Sequence, residues 1–529
     1  MSRGPAADAR LTGVGRANAG PARVTIVRTN DVSCLNPVLY RDLPTGEVLN
    51  RMFDHLVLTD DAGAFVPGRL LATWCRSPDG LVWDFELAAG ARWHDGVPVT
   101  AHDACFTLEL ILDPETASPR RSEFLIEGEP IGYEAASDRV LRITLPAAHA
   151  PLLGSLAWRP LLPRHVYTDD RVRRTPDHPP VGSGAFRFVE WRPGERLTMS
   201  AWDEYHHGRP PLGQVTWRPL SDPDVALRAL LSGSADYFAG LPPELVDEVE
   251  AADGVRIVRT ADASFTYLGF RLDHGAFGDL RVRTAIGLAI DRDRLVTDAL
   301  RGAGVVARSP IAPSSPWHHA APSEPYDPRA AAHLLSAAGW APGADGSRRD
   351  TAGARLEFTI LTVAGDAVKL ATAAGIRRDL TAVGIGVDIV THEMGRLLEL
   401  AFDGRFEAIV LGLTPGIDPA FLHGLYHSSM VPPGGWNIFG YADPQVDRLL
   451  DASQAAIDPA ERHDLIAEVQ RSVARDLPQV LLFHTDAVDA ASDRLSLPAP
   501  PTAPGNRFMH LHRWEVQLRQ LARTSPLGM

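Results

Sequence analysis

The sequence predicts an α/β protein of more than one domain, and three observations predict it. Helices open on Asp-Pro at Asp327, Asp443 and Asp458, with aspartate in the cap and proline at the tolerated first helical position. Strand-like runs near 356–361, 385–389 and 406–411 alternate with helical stretches, as in a layered α/β lobe. The chain has 529 residues, too many for a single core.

Composition narrows the class. With 45% apolar and 22% charged residues the chain reads as an ordinary globular protein. No apolar run approaches the roughly 18 residues of a spanning helix. The balance of 52 basic and 66 acidic residues gives −14 without a basic cluster, so nucleic acid is not an expected partner. Lys369 is the only lysine, a bias that reads as GC-rich coding. Cys34, Cys75 and Cys105 allow at most one disulfide and lack CxxC spacing, so free, buried thiols are expected.

Residues 1–22 are rich in Gly, Ala and Arg, have no apolar core of a signal peptide, and are expected to be disordered. Cys34 follows Asp-Val-Ser, unlike a lipoprotein attachment site. Val24–Val27 reads as a strand ending at the Cys34-Leu35-Asn36-Pro37 loop, and residues 46–58 as a helix with Val48, Leu49, Met52 and Phe53 on one face. Leu81–Leu87 alternates like a half-buried strand. In 92–119 a His94-Asp95-Gly96 turn precedes Thr100 and Asp103, which have capping-box spacing. Ala101, Cys105, Leu108 and Leu112 then follow at helical period up to the stop at Asp113-Pro114. Proline-rich 160–163 and 176–180 mark a crossing between domains. Residues 181–220 read as three strands with a Pro-Gly turn at 193–194, and Gly182 and Gly184 permit a tight start to the first. A helix over 224–237 ends near Gly233, Ser264–Arg271 is strand-like, and Asp279 caps a helix carrying Val282, Ile286 and Ala289. The helix from Asp327 stops at Gly339, and Val480–His484 returns the chain to its first lobe.

The strings WHDGVPVTAHD at 93–103 and DPETASP at 113–119 resemble the signature region of the family 5 extracellular solute-binding proteins, the peptide-, nickel- and opine-binding subunits of ABC importers. VGSGAF at 181–186, DLRVRTAIGLAIDRDRLV at 279–296, YDPRAAAHLLSAAGW at 326–340 and GYADPQVD at 440–447 resemble it too, in the family's order. The resemblance implies a two-lobed, periplasmic-binding-protein-like clamshell of type II with an inserted extra domain. It implies lobe I from 23–47, 178–262 and 480–515, an inserted domain at 48–177, lobe II at 263–479 and a C-terminal tail at 516–529. Closure on a small solute would present the receptor to a membrane permease.

The resemblance also places candidate ligand contacts. They are Arg41, Asp42 and Leu43 past the Leu35-Asn36-Pro37 turn, Arg120 past the DPETASP element, and Tyr267 as the pocket aromatic. Family peptide binders resemble Val410–Pro419 but carry a tryptophan at Gly412 and, at Pro415, the aspartate that holds the peptide's ammonium. Gly412, Leu413, Thr414, Pro415 and Asp418 are therefore the candidate wall, with a roomier pocket at Gly412. Ordinary free-amino-terminus peptides are expected to bind poorly, whereas Arg41 and Arg120 would favour an anionic group.

Other chemistry finds little footing. His423 and His427 are four apart on one helical face, but no HExxH order or third ligand is evident, so no metal is assigned. No nucleophile motif or phosphate loop stands out, so neither catalysis nor a cofactor is expected. Two functions follow. The first is a monomeric extracytoplasmic receptor of an ABC importer, binding a peptide-like or other small solute. The alternative is a cytosolic protein re-using the clamshell for sensing or biosynthetic catalysis.

Overall fold

Two long strands run through both halves of the molecule and set its plan. The computed structural model describes residues 22–168, 178–321, 325–502 and 507–517. Residues 1–21, most of the 516–529 tail and part of the proline-rich 176–180 crossing lie outside the described residues.

In chain order, β1 (Ala22–Arg28) leads into α1 (Leu43–Met52). A separate antiparallel sheet follows, of β2 (Leu71–Arg76), β3 (Val82–Leu87), β4 (Gly132–Ser137) and β5 (Val140–Thr144), with α2 (Ala101–Leu112) against it. Strands β6 (Phe186–Arg192), β7 (Arg196–Ala201) and β8 (Leu212–Pro219), helix α3 (Pro223–Leu231) and β9 (Tyr237–Phe238) rejoin β1. Strand β10 (Val255–Phe270) then crosses to a second half. That half holds α4 (Leu280–Ala289), β11 (Gly304–Val306), α5 (Pro328–Ala337), β12 (Glu357–Val363), α6 (Ala367–Ala382) and β13 (Gly386–His392). It continues with β14 (Ala408–Leu413), α7 (Phe421–Tyr426), α8 (Pro444–Ala455) and α9 (Pro459–Asp476), before β15 (Gln479–Ser492) crosses back.

The main ladder runs β6-β7-β8-β1-β9-β15-β10-β14-β12-β13, with β11 on β15. β10 and β15 pair twice: Val255–Ala261 against Asp486–Ser492 in the first wing, and Phe265–Gly269 against Gln479–His484 in the second. The register breaks between Ala261 and Phe265, where the wings join. Residues 480–484, expected with the first lobe, therefore ladder with the second wing.

Local chemistry explains the elements. Thr100 N–H donates to Asp103 Oδ2 at 2.8 Å, and the capping box forms as its spacing requires. Asp103 also accepts Arg164 N–H at 2.9 Å, so the cap ties two segments. Asp279, Asp327, Asp443 and Asp458 each cap the helix they precede. The helix expected over 46–58 instead spans Leu43–Met52, because Asp42 accepts Thr45 N–H at 2.8 Å and Pro44 stands in its first turn. Residues 57–59 form a strand. The helix expected over 224–237 ends at Leu231, and Gly233 takes φ 75°.

One hydrophobic cluster joins β1 and α1 to the inserted sheet through Val24, Met52, Phe85 and Trp93. His94 anchors this junction: its Nε2 donates to Gly184 O at 2.9 Å, and its Nδ1 accepts Gly182 N–H at 3.1 Å. Gly182 is glycine because the chain passes so close that a Cβ would lie 1.9 Å from Met52 O. Nearby, Glu47 and Asp489 are buried with Arg28 and Arg507 in an ion network, which Tyr237 Oη joins by donating to Asp489 Oδ2 at 2.6 Å. In the second wing, alternation along β10 divides two cores: Leu268 and Phe270 face α4 and α6, while Phe265 and Tyr267 face α7–α9.

Candidate ligand-binding site

The candidate wall stands where β14 ends beside β10. Thr266 pairs with Gly412, and Phe265 with Leu413. Directly paired residues share a face, so Thr266 and Gly412 look to the α6 side. There Lys369, in the first turn of α6, donates from Nζ to Thr266 Oγ1 at 2.8 Å. A Cβ on Gly412 would lie 3.0 Å from that Nζ. The space expected to be open at Gly412 is thus taken by an ammonium, and burial pushes its pKa down. One step further on, Ser264 Oγ and Thr414 Oγ1 meet at 2.8 Å.

Beyond Thr414 the loop turns apolar and then acidic. Pro415, Gly416 and Ile417 close with Ala263, Ile311 and Phe421 around a hollow of about 10 Å³. Asp418 is not a free acceptor. Arg462 holds it bidentately, Nη2 to Oδ1 at 2.7 Å and Nη1 to Oδ2 at 2.8 Å, and Asp418 Oδ1 also accepts Ala420 N–H at 2.8 Å. The Arg462 guanidinium lies over Trp317, 5.0 Å from the ring centroid. The inserted sheet's connections meet the second wing here: Ala150 N–H donates to Gln454 O at 2.7 Å, and a Cβ on Gly154 would stand 2.7 Å from Asp418 Cβ.

The first-wing candidates gather separately. Leu43 is 55% exposed, and Asp42 is committed to capping α1 and to the Ser33 hydroxyl. Arg41 is exposed, its Nη2 3.5 Å from Ala117 O. Arg120 lies 5.3 Å above the Tyr40 ring and pairs with Glu123 at 3.3 Å, so its charge is already matched. Tyr267 does not line an open wall. It is 2% exposed and packs edge-on against Phe439 in the α7–α9 core, because strand alternation sends it there with Phe265.

His423 and His427 find the partner that sequence reasoning could not see. Asp451 of α8 stands 3.3 Å from His423 Nε2 and 3.4 Å from His427 Nε2, and the rings stack at 4.5 Å. The ligand atoms lie within 4.8 Å of one another. However, His427 Nδ1 accepts Ser429 N–H at 3.1 Å, so its proton stands on Nε2, the atom turned to the acid. The arrangement is a histidine–carboxylate unit in which that nitrogen has no lone pair to offer.

Comparison with known proteins agrees with this architecture. The profile of the bacterial extracellular solute-binding proteins, family 5 (middle region), matches residues 65–431. Protein XP55 of Streptomyces lividans is 31% identical over 449 residues, covering 84% of this chain and 81% of that protein. The oligopeptide-binding protein AppA of Bacillus subtilis is 26% identical over 464 residues, 82% of this chain and 84% of its own. The crystal structure of the ABC transporter substrate-binding protein CtaP of Listeria monocytogenes superposes with a TM-score of 0.85 at 22% identity, covering 94% of this chain and all of that one (100%).

The chain belongs to the family 5 bacterial extracellular solute-binding proteins. It has their two-lobed α/β clamshell and is a solute-binding receptor of an ABC importer, a family that binds peptides or small solutes and works with ABC permeases. The relatives lend no support to the cytosolic alternative. No helix among the described residues is long and apolar enough to cross a membrane.

Proposed function

We propose that this receptor closes its wings over a solute that is not held by a free amino terminus. The observation that supports this is the state of the acids at the candidate wall. Pro415 has no side-chain acceptor, and Asp418, the acid left on that loop, is matched by Arg462 on both oxygens. An ammonium entering there would have to displace a bidentate guanidinium, giving up a charge-assisted pair of roughly 1.5–3 kcal/mol. Lobe I, the inserted domain and lobe II, at the boundaries expected from sequence except that 480–484 go with lobe II, supply the two closing faces, with β10 and β15 as the hinge. Arg41 and Leu43 are kept as rim contacts because both are exposed. The receptor acts as a monomer, since one polypeptide provides both faces of the cleft, and outside the cytoplasm, in keeping with its extracellular solute-binding family.

Calorimetry against di- to pentapeptides, free and N-acetylated, tests the reading. Acetylation is expected to leave affinity unchanged or improve it. Micromolar binding of free peptides that acetylation abolishes would contradict it.

A further inference from the structure

Lys369 is the one lysine among 52 basic residues, and the fold puts it where a cation is least comfortable. It sits in the first turn of α6, at the positive end of the helix, where a cation is disfavoured. Its ammonium is largely removed from water over Gly412, and the Asp366 carboxylate acts on it only through space, outweighed by that burial. The nearby Asp366 is spent on capping, accepting the Lys369 backbone N–H at 2.9 Å. Of the three ammonium protons, the Thr266 hydroxyl takes one, at 2.8 Å. Burying an ammonium with so few partners is unfavourable.

The surroundings complete a built feature. Thr266 and its partner Gly412 face the same way, and just past the end of β14 the Thr414 hydroxyl meets that of Ser264. The ammonium thus lies over Gly412 against the Thr266 hydroxyl, with the Ser264–Thr414 hydroxyl pair one step further on and Asp262 accepting the Ser264 hydroxyl at 3.2 Å. We infer that Lys369 is the anion anchor of the cleft, holding a carboxylate of the bound solute beside Gly412 with help from the Thr266 hydroxyl. A single compact point charge among hydroxyl donors fits a monoanion better than a phosphate dianion, which draws several charged donors. The inference rests on the proposed reading that an amino terminus is not the anchor.

The lone lysine makes the test direct. Protein labelled with ¹³C at lysine Cε gives one lysine side-chain resonance, which is titrated with acetate, succinate, N-acetylglycine and inorganic phosphate. The carboxylates are expected to shift it saturably and to raise the pH at which it titrates. Lys369→Met is expected to weaken succinate and N-acetylglycine binding tenfold or more. It should fold with an unchanged or higher Tm, because an unpaired buried charge is replaced by an apolar chain of similar shape. A resonance that no carboxylate moves, a response to phosphate alone, or a Lys369→Met variant that loses stability yet binds carboxylates normally would overturn the inference. Failure of the amino-terminus reading is seen separately, in loss of peptide binding on acetylation.

Discussion

Arg462 grips Asp418 through both terminal nitrogens, at 2.7 and 2.8 Å, and the pair is nearly buried, with side chains 5% and 11% exposed. Three segments converge on it: the β14–α7 loop, the start of α9, and Gly154 of the inserted region. Removing one partner leaves a buried charge unmatched, which costs about 3–5 kcal/mol. Arg462→Met is therefore expected to lower stability by that amount in urea unfolding. Adding Asp418→Asn should recover part of the loss, since the stranded charge is gone.

Gly182 and Gly194 should respond very differently to alanine. At Gly182 a Cβ would sit 1.9 Å from the Met52 carbonyl oxygen, and backbone must move. At Gly194 the space is open and the penalty is only its φ of 77°. Gly182→Ala is expected to cost about 3 kcal/mol or more, and Gly194→Ala about 1–2 kcal/mol. Thermal unfolding of the two variants side by side checks the ranking.

Much of the frame was readable in the chain because its signals are local. Capping boxes, Asp-Pro starts and strand alternation are set by neighbours in sequence, and each formed where the spacing placed it. The site was harder because its determinants are distant contacts. Lys369 stood out as the only lysine, yet Thr266, its hydrogen-bond partner, is 103 residues away. Asp418 is a candidate wall residue by resemblance, but its partner Arg462 lies 44 residues on. Tyr267 was placed by resemblance in the pocket, whereas the two-residue period of β10 sends it into the core. His423 and His427 had a visible helical spacing, but Asp451 comes from the next helix.

His94 ties stability to pH. Burial lowers its pKa to about 4 from the ordinary 6.5, and both ring nitrogens are engaged in the neutral form. The folded protein therefore binds fewer protons here than the unfolded chain between those values, so stability falls as pH drops below 6.5 and the loss levels off near 4. The contribution at stake is up to about 3 kcal/mol, at 1.36 kcal/mol per pH unit. A His94→Gln variant, with no titrating group, is expected to show a flatter Tm profile between pH 7 and 4.5. An identical slope in both proteins would refute the assignment.

Asp489 holds the first wing's buried charges together. It is fully buried, accepts Gly240 N–H at 2.7 Å and Tyr237 Oη at 2.6 Å, and pairs with Arg507. Asp489→Ala is expected to cost about 3–5 kcal/mol by leaving Arg507 with Glu47 and Arg28 in an unbalanced cluster. A loss below about 1 kcal/mol in chemical denaturation would show the network to be dispensable.

The solute that the cleft carries reports its anchor. Receptor incubated with the small-molecule fraction of its host, washed, denatured and analysed by mass spectrometry will release whatever the cleft selects. An amine-reactive tag applied to the released pool distinguishes the cases. Carboxylate-bearing solutes whose recognition does not need a free amino terminus are expected, retained equally well when the pool is acetylated beforehand. Recovery of free-amino-terminus peptides that disappear after acetylation would contradict it.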